Sequence, residues 1–464
     1  MSSRWEGVSH NNKRVKSQSL EQAEALQNLR KNFRMLEDQG RSFRLICQEW
    51  ERPMLLELLA AEGYTLEPLP AHPLLMRASG GEAALGSSLA ARFGRLYIQD
   101  AASFIAPLAL DPRPGETVLD MCASPGGKST FLAQLAGPDG VVMANEPNPQ
   151  RLATLRQNIL RLSMANVASL DSPGEKLPIP DGSLNAILLD PPCSGWGTAE
   201  KHPRVRELWQ GDKVEPLKTL QRKLLKEAIR VLAPGGRLVY STCTTNVEEN
   251  EAQVLHAVET YGMRIDPIAS PPGYAFDEPE LDETPGVLRV AGELSAAQGH
   301  FVARMVKPGD GLAAAPEHDD DAVNASLEAL ERKSGVVVDV DEVPGAEHLP
   351  AGELVAFKGQ VRFLPRAVLA TLRPGTRWQG MALGRLTAGG FRVQSRCRAL
   401  MSPSPGAEAL NVTETEPLED LLAGRGHFLD APARTKPLPL YYRGLALGWL
   451  AVKGDGRRVL WTEK

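Results

Sequence analysis

Apolar residues in this chain recur with two different periods, and the switches between them divide it into parts. From Glu116 onward, short apolar runs alternate with stretches of helical spacing. Thr117-Val118-Leu119-Asp120 predicts a strand, Ser129 to Leu135 a helix, and Val141-Val142-Met143-Ala144 the next strand. Leu152, Leu155, Ile159 and Leu162 keep the helical period, and Val167 to Leu170 and Leu184 to Asp190 follow as two further strands. A helix carrying Leu217, Leu220, Leu224, Ala228 and Val231 then leads, through the breaker Pro234-Gly235-Gly236, to a buried strand at Leu238 to Cys243. Val287 to Val290 and His300 to Arg304 predict two terminal strands of the same sheet. Repeated strand-helix-strand units imply an α/β domain: a doubly wound, mostly parallel sheet with right-handed crossovers.

The flanking regions follow other patterns. A helical period runs through Leu20, Ala23, Leu26, Leu29 and Phe33, followed by a strand at Phe43 to Cys47, an amphipathic Met54 to Ala61, and short strands near Tyr64 and Leu74. This predicts a small N-terminal α+β unit. Its Lys13, Arg14, Lys16, Arg30, Lys31 and Arg34 suit phosphate contact, although a solvated helix face is the stronger reading. Near the other end, short apolar segments at Leu354 to Phe357, Val361 to Leu364, Met381 to Leu386, Leu440 to Tyr442 and Leu445 to Val452 are separated by Gly and Pro, which predicts a mostly β module. The expected division is 1–95, 96–308, a linker over 309–345, and 346–464.

Composition narrows the class. With 464 residues the chain is too long for one ordinary core, and 42% hydrophobic with 23% charged residues is a soluble globular composition. The first residues carry no apolar leader, and no run approaches the ~20 apolar residues of a membrane span; a cytoplasmic location without membrane attachment is expected. The net charge of -5 argues against holding nucleic acid by bulk charge, but its distribution is uneven. From Ala351 to Pro403 nine Lys or Arg face Glu353 alone, which gives the C-terminal module RNA placement as its expected task. Removing that module is expected to leave cofactor binding intact. From Asp310 to Glu331 there are seven acids and no Lys or Arg, which reads as a linker with local helix at best. Five cysteines, odd in number and without paired metal spacing, predict reduced thiols, with neither a disulfide framework nor a metal site.

The chemistry concentrates at predicted strand ends, where ligands of open α/β sheets bind. Asp190 and Cys193 leave one strand in Asp-Pro-Pro-Cys-Ser-Gly, and Cys243 leaves another in Tyr-Ser-Thr-Cys. The loop after the first strand, Asp120-Met-Cys-Ala-Ser-Pro-Gly-Gly-Lys-Ser-Thr130, has Cys122 where a phosphate-binding loop requires its first glycine, and the dinucleotide fingerprint is absent. What remains is a close backbone turn at a helix start, suited to a carboxylate or a nucleoside. Glu146 ends the next strand, 20 residues after Gly126, where an acid can accept both hydroxyls of a ribose. An adenosine that carries a carboxylate and no phosphate is S-adenosylmethionine; the competing reading is a structural glycine turn beside a solvated acid.

Asp-Met-Cys-Ala-Ser-Pro-Gly-Gly-Lys, Asp-Pro-Pro-Cys-Ser-Gly, Tyr-Ser-Thr-Cys-Thr with Asn246-Val-Glu-Glu-Asn-Glu251, and Tyr97-Ile-Gln-Asp-Ala-Ala-Ser103 together resemble the motifs of the NSUN (Sun/Nop) family of RNA cytosine-5 methyltransferases, over about Leu96 to Pro308. The resemblance implies the class I S-adenosylmethionine-dependent methyltransferase fold. The cofactor would be held by Cys122, Ala123, Ser124, Pro125, Gly126, Gly127, Lys128, Glu146 and Asp190, with Asp171 or a neighbour facing the adenine. It also implies Cys243 as nucleophile, Cys193 as the residue of release, and Asp190 on the ring nitrogen and exocyclic amine. The DNA enzymes of this chemistry use instead the cysteine of Pro-Cys, here Cys193.

Two thiols make chemical sense. Carbon 5 of cytosine is too weak a nucleophile until a thiolate adds to carbon 6, and afterwards the proton on carbon 5 and the thiol must both leave. Cys47 and Cys397 read as small core residues. The C-terminal region, at Gly424-Arg-Gly and Gly444-Leu-Ala-Leu-Gly448, is similar to the PUA-like RNA-binding tail of bacterial small-subunit rRNA members of that family. One departure is Arg44-Leu-Ile-Cys-Gln-Glu49, where the family commonly has Arg-Val-Asn-Thr-Leu-Lys; another is a short loop after the third strand. Lys201, Arg204, Arg206, Lys213, Lys218, Arg222, Lys223 and Lys226 read mostly as a solvated face, with a few placed to hold phosphates around a flipped base. The expectation is a monomer that methylates carbon 5 of a cytidine in 16S rRNA, free or in the small ribosomal subunit. The alternatives are the same reaction on tRNA or another rRNA, or a non-catalytic RNA-binding assembly factor.

Overall fold

The computed structural model describes residues 40–198, 214–292, 294–312, 319–433 and 436–462. The helical period from Leu20 to Phe33, the basic residues Lys13, Arg14, Lys16, Arg30, Lys31 and Arg34, and Lys201, Arg204, Arg206 and Lys213 lie outside the described residues.

The first sheet is antiparallel, built from β1 (Arg41–Leu45), β2 (Tyr64–Pro68), β3 (Leu75–Gly80) and β4 (Leu96–Ile98) in the order β2-β3-β1-β4. Helix α1 (Arg52–Ala61) opens on Pro53, which has no N–H to lose there, and buries Leu55, Leu58 and Leu59 in the same core as Phe43 and Leu45. Arg44 points the other way. It is fully buried, donates to Thr130 Oγ1 at 2.7 Å, and lies 5.1 Å from the Phe131 ring centre; burial drags its guanidinium down to about 9. The segment that departs from the family pattern is thus a structural joint between the first sheet and the next.

The central sheet holds β5 (Thr117–Asp120), β6 (Val141–Asn145), β7 (Val167–Leu170), β8 (Leu184–Leu189), β9 (Leu232–Thr242), β10 (Arg264–Ile265), β11 (Phe276–Asp277), β12 (Leu288–Val290) and β13 (His300–Val306). Its path is β11-β12-β13-β9-β8-β5-β6-β7, with β10 on β13; β5 to β9 are parallel and β13 runs antiparallel to β9. Helices α2 (Gly127–Leu135), α3 (Pro149–Leu162), α4 (Glu215–Val231) and α5 (Glu251–Tyr261) accompany the parallel strands. Both faces are covered, so neighbouring strand residues enter different cores: Val118, Ala186 and Val239 in one, Leu119, Ile187 and Leu238 in the other. The predicted strand at Leu238 starts earlier than expected, at Leu232. Pro234-Gly235-Gly236 does not end it but forms an irregularity, because Leu184 pairs with Leu232 while Ala186 pairs with Arg237. Strand order reverses between β5 and β8, and the crevice at their carboxyl ends is where such sheets bind ligands.

The stretch expected as an acidic linker holds α6 (Asp320–Glu331), with Val323, Ser326 and Ala329 buried, and β14 (Gly335–Val337). Strands β15 (Gly352–Phe357), β16 (Gln360–Pro365), β17 (Trp378–Gln379), β18 (Ala382–Thr387) and β19 (Gly390–Val393) come next; all but β17 form with β14 a five-stranded sheet. Strand β17 instead joins the central sheet as the partner of β7. The last sheet contains β20 (Leu410–Val412), β21 (His427–Phe428), β22 (Leu438–Tyr442), β23 (Leu445–Lys453) and β24 (Arg458–Leu460). Its Leu440, Leu447 and Val459 share one core with Phe43, Leu58 and Phe93 around the first sheet. Among the described residues, no helix is long and apolar enough to cross a membrane.

Candidate functional site

The carboxyl ends of β5, β6, β8 and β9 gather the side chains expected there. Asp190, just past β8, has both oxygens engaged: Lys128 Nζ lies 2.5 Å from Oδ2, and Ser241 Oγ donates to Oδ1 at 3.0 Å. Cys193 Sγ and Cys243 Sγ, past β8 and β9, are 3.3 Å apart with no bond between them. A thiol that donates to its neighbour favours the neighbour's thiolate, so the contact lowers the Cys243 pKa. The same contact, with burial, drives that of Cys193 well above the usual thiol range. Of the two thiols, Cys243 is thus the easier to ionise.

A carboxylate network fixes this spacing. Glu249, fully buried, accepts from the Ser194 N–H at 2.9 Å and from Gln221 Nε2 at 3.0 Å through Oε1, and from Ser194 Oγ at 2.5 Å through Oε2. Ser194 Oγ also meets Thr244 Oγ1 at 2.8 Å. The residues that follow the two cysteines are therefore tied to each other and to one carboxylate. Tyr240 OH donates to the Glu249 carbonyl at 2.7 Å, and Asn250 Nδ2 to that of Thr244 at 3.0 Å.

Beside the cysteines, a cleft of about 200 Å³ is lined by Gln99, Asp120, Cys122, Gly127, Lys128 and Asp190, with Ala123, Ser124 and Pro125 on its loop side. The loop is clamped: Ser124 Oγ donates to the Arg151 carbonyl at 2.9 Å, and Asn158 Nδ2 to that of Pro125 at 2.9 Å. Gly126, at φ 106°, caps α2 in a conformation that favours glycine. A Cβ on Gly127 would come within 2.7 Å of Gln99 Oε1 and 2.8 Å of the Tyr97 ring. Three of the polar atoms here are buried without a partner: Asp120 Oδ1 and both amide atoms of Gln99. Burial pushes the Asp120 carboxyl up to about 6, against the hydrogen bond from Ser129, and burial likewise raises the Cys122 thiol well above its usual value. For Lys128 burial acts downward, but Asp190 outweighs it and the ammonium is raised. His300, buried in the same neighbourhood, is lowered to about 4 by burial and then by Lys128, so it is neutral.

Two predicted site residues stand apart from that cleft. Glu146 follows β6 and is buried; it accepts from the Asn148 N–H at 2.9 Å and pairs with Arg151 Nε at 3.2 Å. Asp171 follows β7 and is held from the C-terminal region, its N–H donating to the Arg377 carbonyl at 3.1 Å and its carboxylate 3.5 Å from the Arg377 guanidinium. Asp120, Gln99, Ser194, Glu249 and His300 were not singled out from the sequence. Asp120 carried a usable signal as the last residue of its strand, whereas Glu249 lay in a polar stretch with no visible partner. Among the described residues, no group of His, Cys, Asp and Glu has metal-binding proximity.

Residues 107–305 match the family model described as 16S rRNA methyltransferase RsmB/F. The chain is 38% identical over 260 residues to the ribosomal RNA small subunit methyltransferase F of Salmonella paratyphi B, covering 54% of each chain. It is 33% identical over 276 residues to that of Shewanella loihica, covering 57% of this chain and 55% of the relative. The chain thus spans about half the length of the curated relatives it matches. A methyltransferase homolog protein from Pyrococcus horikoshii superposes with a TM-score of 0.51 at 31% identity, over 59% of this chain and 88% of that one. NSun6 from the same organism, solved with SFG, gives 0.52 at 23% identity, over 59% and 91%.

Proposed function

We propose, from the premise that residues 107–305 form a methyltransferase domain of the RsmB/F family, that the protein methylates carbon 5 of a cytidine in 16S rRNA through a covalent cysteine adduct. The observation that carries the reading is the 3.3 Å contact between Cys193 and Cys243, beside an Asp190 whose two oxygens are already oriented.

The residues around the cleft fit S-adenosylmethionine. Gly126 and Gly127 leave a cradle that a Cβ would fill, and Gln99 presents an unpartnered donor and acceptor suited to a zwitterionic amino-acid end. Cys122, Ala123, Ser124, Pro125 and Lys128 would line the holding loop, with Glu146 on the ribose and Asp171 near the adenine. When bound, S-adenosylmethionine supplies an electrophilic methyl group.

The chain's own groups do the rest. Cys243, the thiol of lowered pKa, adds as thiolate to carbon 6 of the base, and the electron pair displaced toward carbon 5 makes that carbon nucleophilic. Asp190, oriented by Lys128 and Ser241, faces the ring nitrogen and exocyclic amine and accepts from the amine, while the Lys128 ammonium beside it offsets the negative charge that addition places on the ring. Cys193 retains its proton during addition. After methylation, solvent water takes the carbon 5 proton, the freed electron pair re-forms the carbon 5–carbon 6 double bond, the carbon 6–sulfur bond breaks, and Cys243 leaves as a thiolate that Cys193 receives with its hydrogen bond.

Incubation of the full chain with labelled cofactor and small-subunit rRNA, followed by nucleoside analysis, tests the reading. 5-Methylcytidine is expected. Cys193→Ala should accumulate a protein–RNA species that survives denaturing electrophoresis; Cys243→Ala and the double variant should not. Accumulation in Cys243→Ala would make Cys193 the nucleophile, and label in any other nucleoside would overturn the proposal.

A further inference from the structure

Far along the chain from the cysteines, the last two sheets meet at a second cleft, of about 200 Å³, between the β18–β19 hairpin and the end of β23. Arg392, Lys436 and Lys453 line it, together with the aromatic rings of Phe391 and Trp449, and among the described residues no carboxylate does. In a chain of net charge -5, that local composition is selective.

Strand register extends the cationic surface on both sides. Across β21, β24 and β23, Phe428 is opposite Arg458, and Arg458 is opposite Lys453. Directly opposed residues share a sheet face, so Phe428, Arg458 and Lys453 form a row. The other face carries Val459 and Val452 into the core, which leaves the row in solvent. Phe428 is 69% exposed, with the Arg458 guanidinium 5.9 Å from its ring centre. On the hairpin side, Arg385 is directly opposite Arg392 and both are exposed. Two like charges facing each other across antiparallel strands weaken the pairing, and an anion between them reverses that penalty.

We propose that this surface binds unpaired RNA, with Phe428 as a stacking platform for a base and Lys453, Arg458, Arg392 and Lys436 holding the phosphates on either side. An exposed ring flanked by cations matches what single strands offer, a π-face on every base and a charge on every phosphate. A duplex keeps its bases stacked inside and leaves the ring without a partner. The surface deepens the proposed function, because it rests on RNA as the substrate and names how a segment outside the methylated base is held.

The test is fluorescence anisotropy of the full chain with an unstructured oligoribonucleotide at several salt concentrations. Phe428→Ala should weaken binding about fivefold to a hundredfold, with Phe428→Trp restoring it. Lys453→Ala with Arg458→Ala should flatten the plot of log affinity against log salt by about 1.4 for two lost phosphate contacts. Melting temperature and cofactor affinity should not move. If the parent protein binds and methylates RNA while these variants keep its affinity and salt slope, the surface is not the RNA track and the proposal falls alone. If the parent protein binds no RNA, the functional reading falls with it. Displacement of RNA by phosphatidylserine vesicles, sensitive to the same substitutions, would reassign the surface to a lipid and overturn the proposal.

Discussion

At the scale of single residues, the site pushes the pKa values of two identical side chains in opposite directions. Cys243 is lowered by the hydrogen bond from Cys193, and Cys193 is raised by the same bond. Alkylation reads the thiolate, so Cys243 should be the first of the pair to react with iodoacetamide, with a half-point below that of an ordinary thiol near about 8.5. Replacing Cys193 with Ala removes the donor and leaves burial to act in the opposite direction, so the half-point should move upward. A half-point unchanged or lowered in Cys193→Ala, followed by mass spectrometry of the Cys243 peptide, would break the link between contact and ionisation. Glu146 permits a second check. Its loss to Ala removes the acceptor proposed for the ribose, worth roughly 1.5 to 3 kcal/mol, and should weaken cofactor binding about tenfold to a hundredfold in titration calorimetry. These residues were legible in the sequence because short motifs at predicted strand ends carry them. Asp120 Oδ1 and the Gln99 amide were not, because the absence of a hydrogen-bond partner is a property of the folded surroundings and leaves no mark in a motif.

At the scale of elements, the strands of the central sheet were readable from apolar runs, and the errors fall where backbone irregularity overrides a local signal. Pro234-Gly235-Gly236 reads as a strand breaker, yet β9 passes through it because the register against β8 absorbs the extra residues. The acidic stretch after Asp310 reads as a linker with local helix at best, and the helix is there: Asp319 caps α6 through the Ala322 N–H at 2.9 Å. Val323 and Ala329 of that helix then find apolar cover that charge counting does not reveal. Between elements, the tie that sets the cysteine spacing is Glu249. Glu249→Gln keeps the shape of the side chain while removing the charge that receives Ser194, and the role proposed for Glu249 is to position the two cysteines. The expected result is a fall in kcat of about tenfold to a hundredfold with little change in KM, alongside an altered pH profile for Cys243 alkylation. A variant that lost melting temperature but kept both kcat and the alkylation profile would reduce Glu249 to a structural role.

At the scale of the whole molecule, the first and last described sheets close on each other, which no periodicity announces. Leu440, Leu447 and Val459 complete the core of the first sheet. Buried Arg398 donates to the carbonyls of Phe93, Gly94 and Leu162 at 2.6, 3.0 and 2.7 Å, joining three parts of the fold through one side chain. Buried Arg95 reaches Glu51 at 2.7 Å and the Ala446 carbonyl at 2.8 Å. The C-terminal region also enters the central domain: β17 pairs with β7, Phe363 and Leu383 lie in one core cluster of the central sheet, and Val368 and Leu372 lie in the other. Basic charge and a β pattern suggested a module that could be removed without harm to the cofactor site. The structure argues the reverse, because cutting at Gly352 strips an edge strand from the sheet, exposes both cores and frees Asp171 from Arg377. Substitutions at single seams should already be costly: Leu447→Ala by about 2 to 5 kcal/mol for a filled core position, and Arg398→Ala by a similar amount, since three buried carbonyls lose their donor. Deleting residues 352–464 should therefore abolish the cooperative thermal transition and cofactor binding together. A truncated chain that melts cooperatively and binds cofactor as the full chain does would show that the shared cores contribute little, and that the region is an independent module after all.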